Sequence, residues 1–123
     1  MNDLIAKIGD VERDIAQEKG SFNLFAFFER EDIYDRWDVV VSAPWAKFDM
    51  LTLDYVADVL RRHLQPSEMV RLARIVVLDA AEDPVKALTE KYQVEHGEIE
   101  LNHPQRFGLP VKYGYIITAR RAA

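Results

Sequence analysis

The chain contains no cysteine in its 123 residues. Disulfide bonds, thiolate catalysis and cysteine-ligated zinc are therefore excluded, and the absence is compatible with a reducing cytoplasm. No apolar run approaches the roughly 20 residues that a membrane-spanning helix requires. Residues 1–20 are acidic and helical in pattern, which is not typical of a signal peptide. We therefore expect a cytoplasmic protein with no membrane partner.

Catalytic and nucleotide-binding signatures are also missing. The sequence holds no G-x-G-x-x-G, Walker A, H-E-x-x-H or G-x-S-x-G motif. A hairpin nuclease pattern is not met, because Asp38 is followed by three valines where an E-x-K segment is needed. Serines that could serve a nucleophilic triad are limited to Ser21, Ser42 and Ser67. These absences favour a non-enzymatic function and give no reason to expect a cofactor, although they leave open whether the chain is an enzyme.

Charge is spread unevenly along the chain, whose net charge is −5. Residues 1–100 hold all 21 acidic residues and 12 of the 16 basic ones, and residues 101–123 hold the other four basic residues. An acidic body disfavours the attraction to phosphates on which most nucleic-acid binding depends. A nucleic-acid partner is therefore disfavoured, and we expect the basic end to complement the acidic body or an acidic partner.

The overall composition is that of one folded domain. Hydrophobic residues make up 49% of the chain and charged residues 30%, a balance that argues against disorder. A chain of this length can bury one hydrophobic core. We therefore predict a single domain over residues 1–123.

The segment Ser21–Trp45 predicts two strands joined by a charged turn at residues 30–36. Successive side chains of a strand point to opposite faces. One face of the first strand carries only apolar side chains: Phe22, Leu24, Ala26 and Phe28. Phe25 and Phe27 put two further rings on the opposite face, where each can bury roughly 150–250 Å². Both faces of this strand therefore need a cover.

Two helices are predicted around this pair of strands. Apolar residues at helical spacing predict a first helix over residues 3–19, which Gly20 ends. A second helix is predicted from a cap at Thr52 to a stop at Pro66, with a short helical turn after it.

The remaining chain predicts three strands and a third helix. The unbroken apolar run Ile75–Leu78 is typical of a strand covered on both faces, and we expect that strand to be central in its sheet. Asp83 as cap and Pro84 at the first position begin the third helix. A second hairpin follows, with strands near residues 99–101 and 111–120. The order α-β-β-α-β-α-β-β predicts an α+β domain with a mixed, mostly antiparallel five-stranded sheet.

The aromatic residues suggest a binding surface. Three helices packed on one face of the sheet would leave the other face partly open, and Phe25 and Phe27 are candidates to point there. An open aromatic face favours a homo-oligomer, most commonly a two-fold dimer. We therefore expect a non-enzymatic binding or assembly domain whose contact residues are Phe25, Phe27, Trp37 and Trp45. An apolar small-molecule pocket lined by the same rings is an alternative.

Two polar clusters offer weaker alternatives based on a metal ion. Asp79, Glu82 and Asp83 lie where a buried strand ends and a helix begins, and carboxylates there can hold Mg²⁺ in a small metal-assisted hydrolase. His96, Glu98 and Glu100 share one face of the predicted strand, with His103 near them in sequence, and are candidate ligands for a divalent ion. Residues two apart on a strand are roughly 6.6 Å apart along it, so we expect a solvated polar face here instead.

Overall fold

The structure is a computed structural model that describes residues 2–102, 108–109 and 111–121. It confirms the predicted order and the α+β class in a single domain, with α3 as the predicted short helical turn. The elements are α1 (Asn2–Lys19), β1 (Leu24–Arg30), β2 (Trp37–Ser42), α2 (Met50–His63), α3 (Pro66–Met69), β3 (Leu72–Val77), α4 (Asp83–Lys91), β4 (Ile99–Leu101) and β5 (Val111–Ala119).

Five strands form one mixed sheet in the order β3-β2-β1-β5-β4. The two predicted hairpins, β1–β2 and β4–β5, are antiparallel, the pair β1–β5 is also antiparallel, and β2–β3 is parallel. A parallel pair needs a crossover connection, which here contains α2 and α3. Among the described elements, β3 and β4 are the two edges of the sheet.

The first face of the sheet is covered by α1 and α2. The apolar stripe of α1 is buried along its length, at Leu4, Ile5, Ile8, Val11 and Ile15. From α2, the buried side chains that join the same core are Val56, Val59 and Leu60. The sheet contributes Phe25 and Phe27 of β1, with Val39 and Val41 of β2 opposite them.

The second face is covered by α4. Its buried residues Val85 and Leu88 pack in one core with the alternate side chains of β1, namely Leu24, Ala26 and Phe28. The fold therefore places helices on both faces of the sheet, and β1 is buried on both sides because it lies in the middle strand position.

The start of α2 differs from the sequence prediction. Thr52 is not the cap: Asp49 is, and its side chain accepts a hydrogen bond from the backbone N–H of Thr52 at 2.9 Å. That hydrogen bond holds the pKa of Asp49 below its ordinary value. The helix therefore begins two residues before Thr52, and the exposed residues Met50 and Leu51 belong to its first turn.

The pairing of β1 with β5 requires a residue without a side chain. A Cβ at Gly114 would lie 2.2 Å from the backbone oxygen of Phe27 and 2.5 Å from the ring of Phe28. The register of this pair also shifts between Phe25 and Ala26, which is typical of a β-bulge. Further along β5, the bulge puts Thr118 opposite Phe25, on the face that α1 covers.

Two expectations about exposure are wrong. Phe25 and Phe27 are not on an open face, since both side chains are 0% exposed beneath α1 and α2. The physical reason is that the helices divide between the two faces. The strand predicted at Ile75–Leu78, observed as β3, is not central, because β3 is at one edge and pairs only with β2 among the described strands. The apolar run is also only partly covered, since Ile75 and Val76 are half-buried, and such a run carries no information about the neighbours of a strand in its sheet.

Candidate functional site

The predicted contact residue Trp37 is an interior side chain. Its ring stacks on Phe27 with centroids 4.7 Å apart and planes 7° apart, and it also stacks near Tyr115 at 6.5 Å. The indole N–H donates to Oδ1 of Asp35 at 3.1 Å. Trp37 thus fills the core with its polar atom satisfied, as buried tryptophans generally do.

Trp45 is half-buried beside the first core. Its indole N–H donates to the backbone oxygen of Gly20 at 3.0 Å. Its ring meets Phe22 edge to face at 5.3 Å and Tyr55 at 6.2 Å. These contacts attach the β2–α2 connection to the end of α1, and part of the ring remains available at the surface.

In the acidic cluster after β3, carboxylates accept hydrogen bonds from backbone groups close to them in sequence. Glu82 accepts a hydrogen bond from the backbone N–H of Asp79 at 2.7 Å, and Asp79 accepts one from Ala81 at 2.8 Å. Glu82, not Asp83, is the N-cap of α4, and no side chain caps that helix. Among the described residues, no three acidic or histidine side chains come together to hold a metal ion.

His96 is not on a strand face with Glu98 and Glu100, because it lies three residues before β4. It has a left-handed backbone conformation, with φ of 55°. Its Nδ1 lies 2.6 Å from Oε1 of Glu12 in α1, a residue 84 positions away in sequence. Glu98 is exposed, and His103 lies outside the described residues.

The carboxylate of Glu12 is completely buried, and each of its two oxygens has a hydrogen-bond partner. Thr118 donates its hydroxyl hydrogen to Oε2 of Glu12 at 3.0 Å. The same hydroxyl oxygen accepts the backbone N–H of His96 at 3.1 Å. The three residues therefore connect α1, β5 and the segment before β4. Left-handed conformations of residues other than glycine persist where surrounding contacts enforce them, and here the contacts are these hydrogen bonds.

Sequence reasoning missed Glu12, although a signal was present. Glu12 lies four residues after Ile8 and seven after Ile5, so it falls inside the apolar stripe of α1. A carboxylate in such a stripe must find a buried partner. The sequence does not indicate which partner, because His96 reaches it only through the tertiary fold.

A second buried carboxylate lies on the opposite face of the sheet. Asp38 of β2 accepts a hydrogen bond from Nε of Arg74 at 3.1 Å, and its other oxygen lies 3.6 Å from Nη1 of Arg30. Arg30 also binds Asp32 through two nitrogens, at 2.9 and 3.0 Å. The hydrogen bonds from Arg30 hold the pKa of Asp32 below its ordinary value. Arg30 and Arg74 therefore balance the negative charges of Asp32 and Asp38 at the end of the sheet where β3 begins.

The outer side of β3 carries backbone groups that no described strand pairs with. The backbone N–H of Leu78 donates to the carbonyl of Val41 at 2.9 Å, so the backbone N–H of Leu78 is directed toward β2. Backbone groups alternate along a strand, which directs the N–H and C=O of Ile75 and Val77 away from the sheet. The side chains of Ile75 and Val76 are only half-buried. This outer side of β3, centred on Ile75 and Val77, is called the β3 edge below.

Exposed apolar side chains lie at both ends of the β3 edge. Val70, just before the strand, is 65% exposed. Phe48 is 78% exposed and lines a surface cavity of about 280 Å³ together with Val77, Leu78 and Asp79, where the strand ends. Aromatic and aliphatic side chains this exposed are a typical component of protein interfaces.

The two ends of the β3 edge differ in how their charges are paired, since most basic side chains at its start are paired with aspartates. Near its start are Arg71, which binds Asp35 at 2.8 Å, and the half-exposed Arg74. Arg36, beside them, makes no ion pair within the described part of the chain. Beyond its end lie three exposed carboxylates without an ion pair to any described residue: Asp79, Glu82 and Asp83.

Comparisons with protein-family models, with curated proteins and with solved structures gave no match to this chain. Within the described residues, no helix is long and apolar enough to cross a membrane.

Proposed function

We propose that this chain is a non-enzymatic assembly domain that forms a homodimer through the β3 edge. The observation that carries the proposal is an edge strand whose central residues combine half-exposed apolar side chains with outward backbone groups. Edge strands of this kind are templates for pairing with another polypeptide. A strand added at Ile75 and Val77 would satisfy those groups and extend the sheet.

The aromatic rings are not the contact surface in this proposal. Phe25, Phe27 and Trp37 are buried within one chain, so a partner could reach them only after α1 or α2 was removed. The proposed assembly therefore uses an edge strand of the sheet, the β3 edge, and not one of the faces of the sheet. Of the four predicted contact residues, only Trp45 keeps part of its side chain at the surface.

Features that would limit edge pairing are confined to the start of β3. The register with β2 shifts between Trp37 and Asp38, opposite Ala73, and Arg74 is the charged residue of the strand. Bulges and charges are devices that protect edges. From Ile75 to Leu78 the strand has neither, which leaves a stretch suited to pairing.

The test is the mass of the chain in solution, measured by multi-angle light scattering from micromolar to millimolar concentration. The natural chain should approach twice the monomer mass as concentration rises. Ile75→Pro should stay folded and monomeric, because its missing N–H points away from β2 and proline is tolerated at such edge positions. Leu51→Ser is the matched control: this residue is 83% exposed but lies at the start of α2, and the variant should still dimerise.

A natural chain that keeps the monomer mass at every concentration would contradict the proposal. Dimerisation of Ile75→Pro to the same extent as the natural chain would contradict it as well. We also expect a cytoplasmic location, since the absence of cysteine suits a reducing compartment. The metal-assisted and apolar-pocket alternatives have no comparable support, because Asp79 and Glu82 accept hydrogen bonds from nearby backbone N–H groups and most of the rings fill the core.

A further inference from the structure

We propose that His96 is a phosphorylation site, at which Nε2 of the imidazole attacks an activated phosphoryl group and the buried carboxylate of Glu12 orients and assists the ring. The site connects α1, β5 and the segment before β4. Two strands, β1 and β2, separate β5 from β3 in the sheet. The proposal is therefore independent of the assembly through the β3 edge.

The contact between His96 and Glu12 determines which ring nitrogen is free to react. A carboxylate can only accept hydrogen bonds. The 2.6 Å contact between Oε1 of Glu12 and Nδ1 therefore places the ring hydrogen of a neutral His96 on Nδ1. The lone pair is then on Nε2, which has no hydrogen-bond partner within the described part of the chain.

The free nitrogen is accessible from solvent. The side chain of His96 is 37% exposed, whereas that of Glu12 is completely buried. Because Nδ1 faces the buried carboxylate, the exposed part of the ring is the side away from it, which holds Nε2. A donor can therefore approach Nε2 from solvent without a cavity in this chain.

A closed set of hydrogen bonds holds the imidazole in one orientation. Thr118 donates to the second oxygen of Glu12 at 3.0 Å and accepts the backbone N–H of His96 at 3.1 Å. His96 is thus fixed through both its backbone and its ring, in the left-handed conformation with φ of 55°. Backbone strain of this kind is concentrated at functional sites. A carboxylate on one ring nitrogen is also the arrangement by which proteins prepare histidine for reaction at the other.

The transfer balances with a donor of the phosphoramidate class, in which the phosphoryl group is bonded to a protonated nitrogen. The lone pair of Nε2 forms a bond to phosphorus, the donor's bond from phosphorus to nitrogen breaks, and the neutral amine leaves with that electron pair. Nδ1 keeps its hydrogen, so the ring becomes positively charged 2.6 Å from the carboxylate of Glu12. This charge develops only as the new bond forms, so Glu12 stabilises the transition state more than the resting imidazole.

The charges near His96 permit an anionic donor to approach. Glu95, the preceding residue, is paired with Arg120 at 2.8 Å. Glu98 is exposed, so solvent and salt screen its charge. A phosphoryl group also suits an exposed imidazole better than an acyl group does, because water rapidly hydrolyses an acylated imidazolium.

His63 provides a matched control within the same chain. Its contact is through the other nitrogen, since Nε2 of His63 lies 2.5 Å from Oδ2 of Asp14. Its free nitrogen is therefore Nδ1. The side chain of Asp14 is 57% exposed, and an interaction with an exposed carboxylate is weakened by solvent. We expect His63 to react more slowly than His96, and at Nδ1.

The test is incubation of the folded chain with phosphoramidate, without any enzyme. Fragment mass spectrometry locates the phosphoryl group among the three histidines, and phosphorus NMR distinguishes Nε2 from Nδ1. The group should be on Nε2 of His96 and should form there several-fold faster than on His63. Glu12→Gln keeps an oxygen that accepts from Nδ1 but removes the charge, so it should slow the reaction at His96 several-fold. Asp14→Asn, the matched variant, should leave that reaction unchanged.

Three results would overturn the proposal: no modification of His96, a rate no faster than that of His63, or attachment at Nδ1 of His96. An undiminished rate in a Glu12→Gln variant that circular dichroism shows to be folded would overturn it too. If Glu12→Gln does not fold, the comparison of His96 with His63 in the natural chain decides alone. The mass measured by light scattering bears only on the assembly, so the two proposals fail separately.

Discussion

The face of the sheet under α1 and the β3 edge are built from similar residues but have opposite exposure. The face holds Phe25, Phe27 and Trp37, and none of these side chains is more than 2% exposed. The β3 edge holds Ile75, Val76 and Val77, and two of these three are only half-buried. Residue type alone therefore does not tell which apolar group remains available to a partner. Position in the sheet decides it, since the helices of this chain cover the faces, whereas the β3 edge has no described strand beside it.

The first prediction of this comparison is that Phe25→Ser unfolds the domain. The ring is completely buried beside Phe22, with centroids 4.9 Å apart. Removing it leaves a cavity and buries a hydroxyl, for a cost of about 3–5 kcal/mol. Chemical denaturation followed by circular dichroism measures this loss, and Phe22→Ser should lose a similar amount. A folded Phe25→Ser variant that differed only in its mass in solution would mean that the face is a contact surface after all.

The second prediction concerns the hydrogen bonds that hold α1 on the covered face. Glu12→Gln keeps the volume of the side chain but weakens its bonds to His96 and Thr118. Hydrogen bonds to charged groups contribute about 1.5–3 kcal/mol, so the free energy of unfolding should fall by an amount in that range. Dimerisation should not change, because Glu12 is far along the sheet from the β3 edge, on the side of β5.

A double-mutant cycle identifies the partner of Glu12. The losses for Glu12→Gln and His96→Ala should be non-additive by about 0.5–3 kcal/mol, as expected for residues in direct contact. Additive losses would mean that the pair contributes nothing as a pair. Thermal unfolding of the two single variants and the double variant at one fixed pH provides the measurement.

Much of the fold could be predicted because it depends on periodicity. The stripe of α1 and the alternation of β1 follow directly from the sequence, and both were confirmed in the order α-β-β-α-β-α-β-β. The lateral place of β3 could not be predicted in this way, since an apolar run such as Ile75–Leu78 is compatible with any strand whose faces are covered. Strand order is set by the crossover through α2, which local patterns do not specify.

The candidate interface was harder to predict from the sequence than the fold. No pattern in the sequence marks Phe48 or Val70 as exposed. We predicted His96 on a strand face because we extended the alternating pattern of β4 to three residues before the observed start of that strand. Its bond to Glu12 joins residues 84 positions apart, and no spacing rule reaches that distance.

The most direct test of the account is the hydrogen exchange of the backbone amides of Ile75 and Val77. Both N–H groups point out of the monomer, so they should exchange rapidly in dilute solution and become protected as the chain is concentrated. Leu78 is the internal reference, because its N–H donates to Val41 and should be protected throughout. Rapid exchange of Ile75 and Val77 at a concentration where light scattering gives a dimer would show that the second copy binds elsewhere.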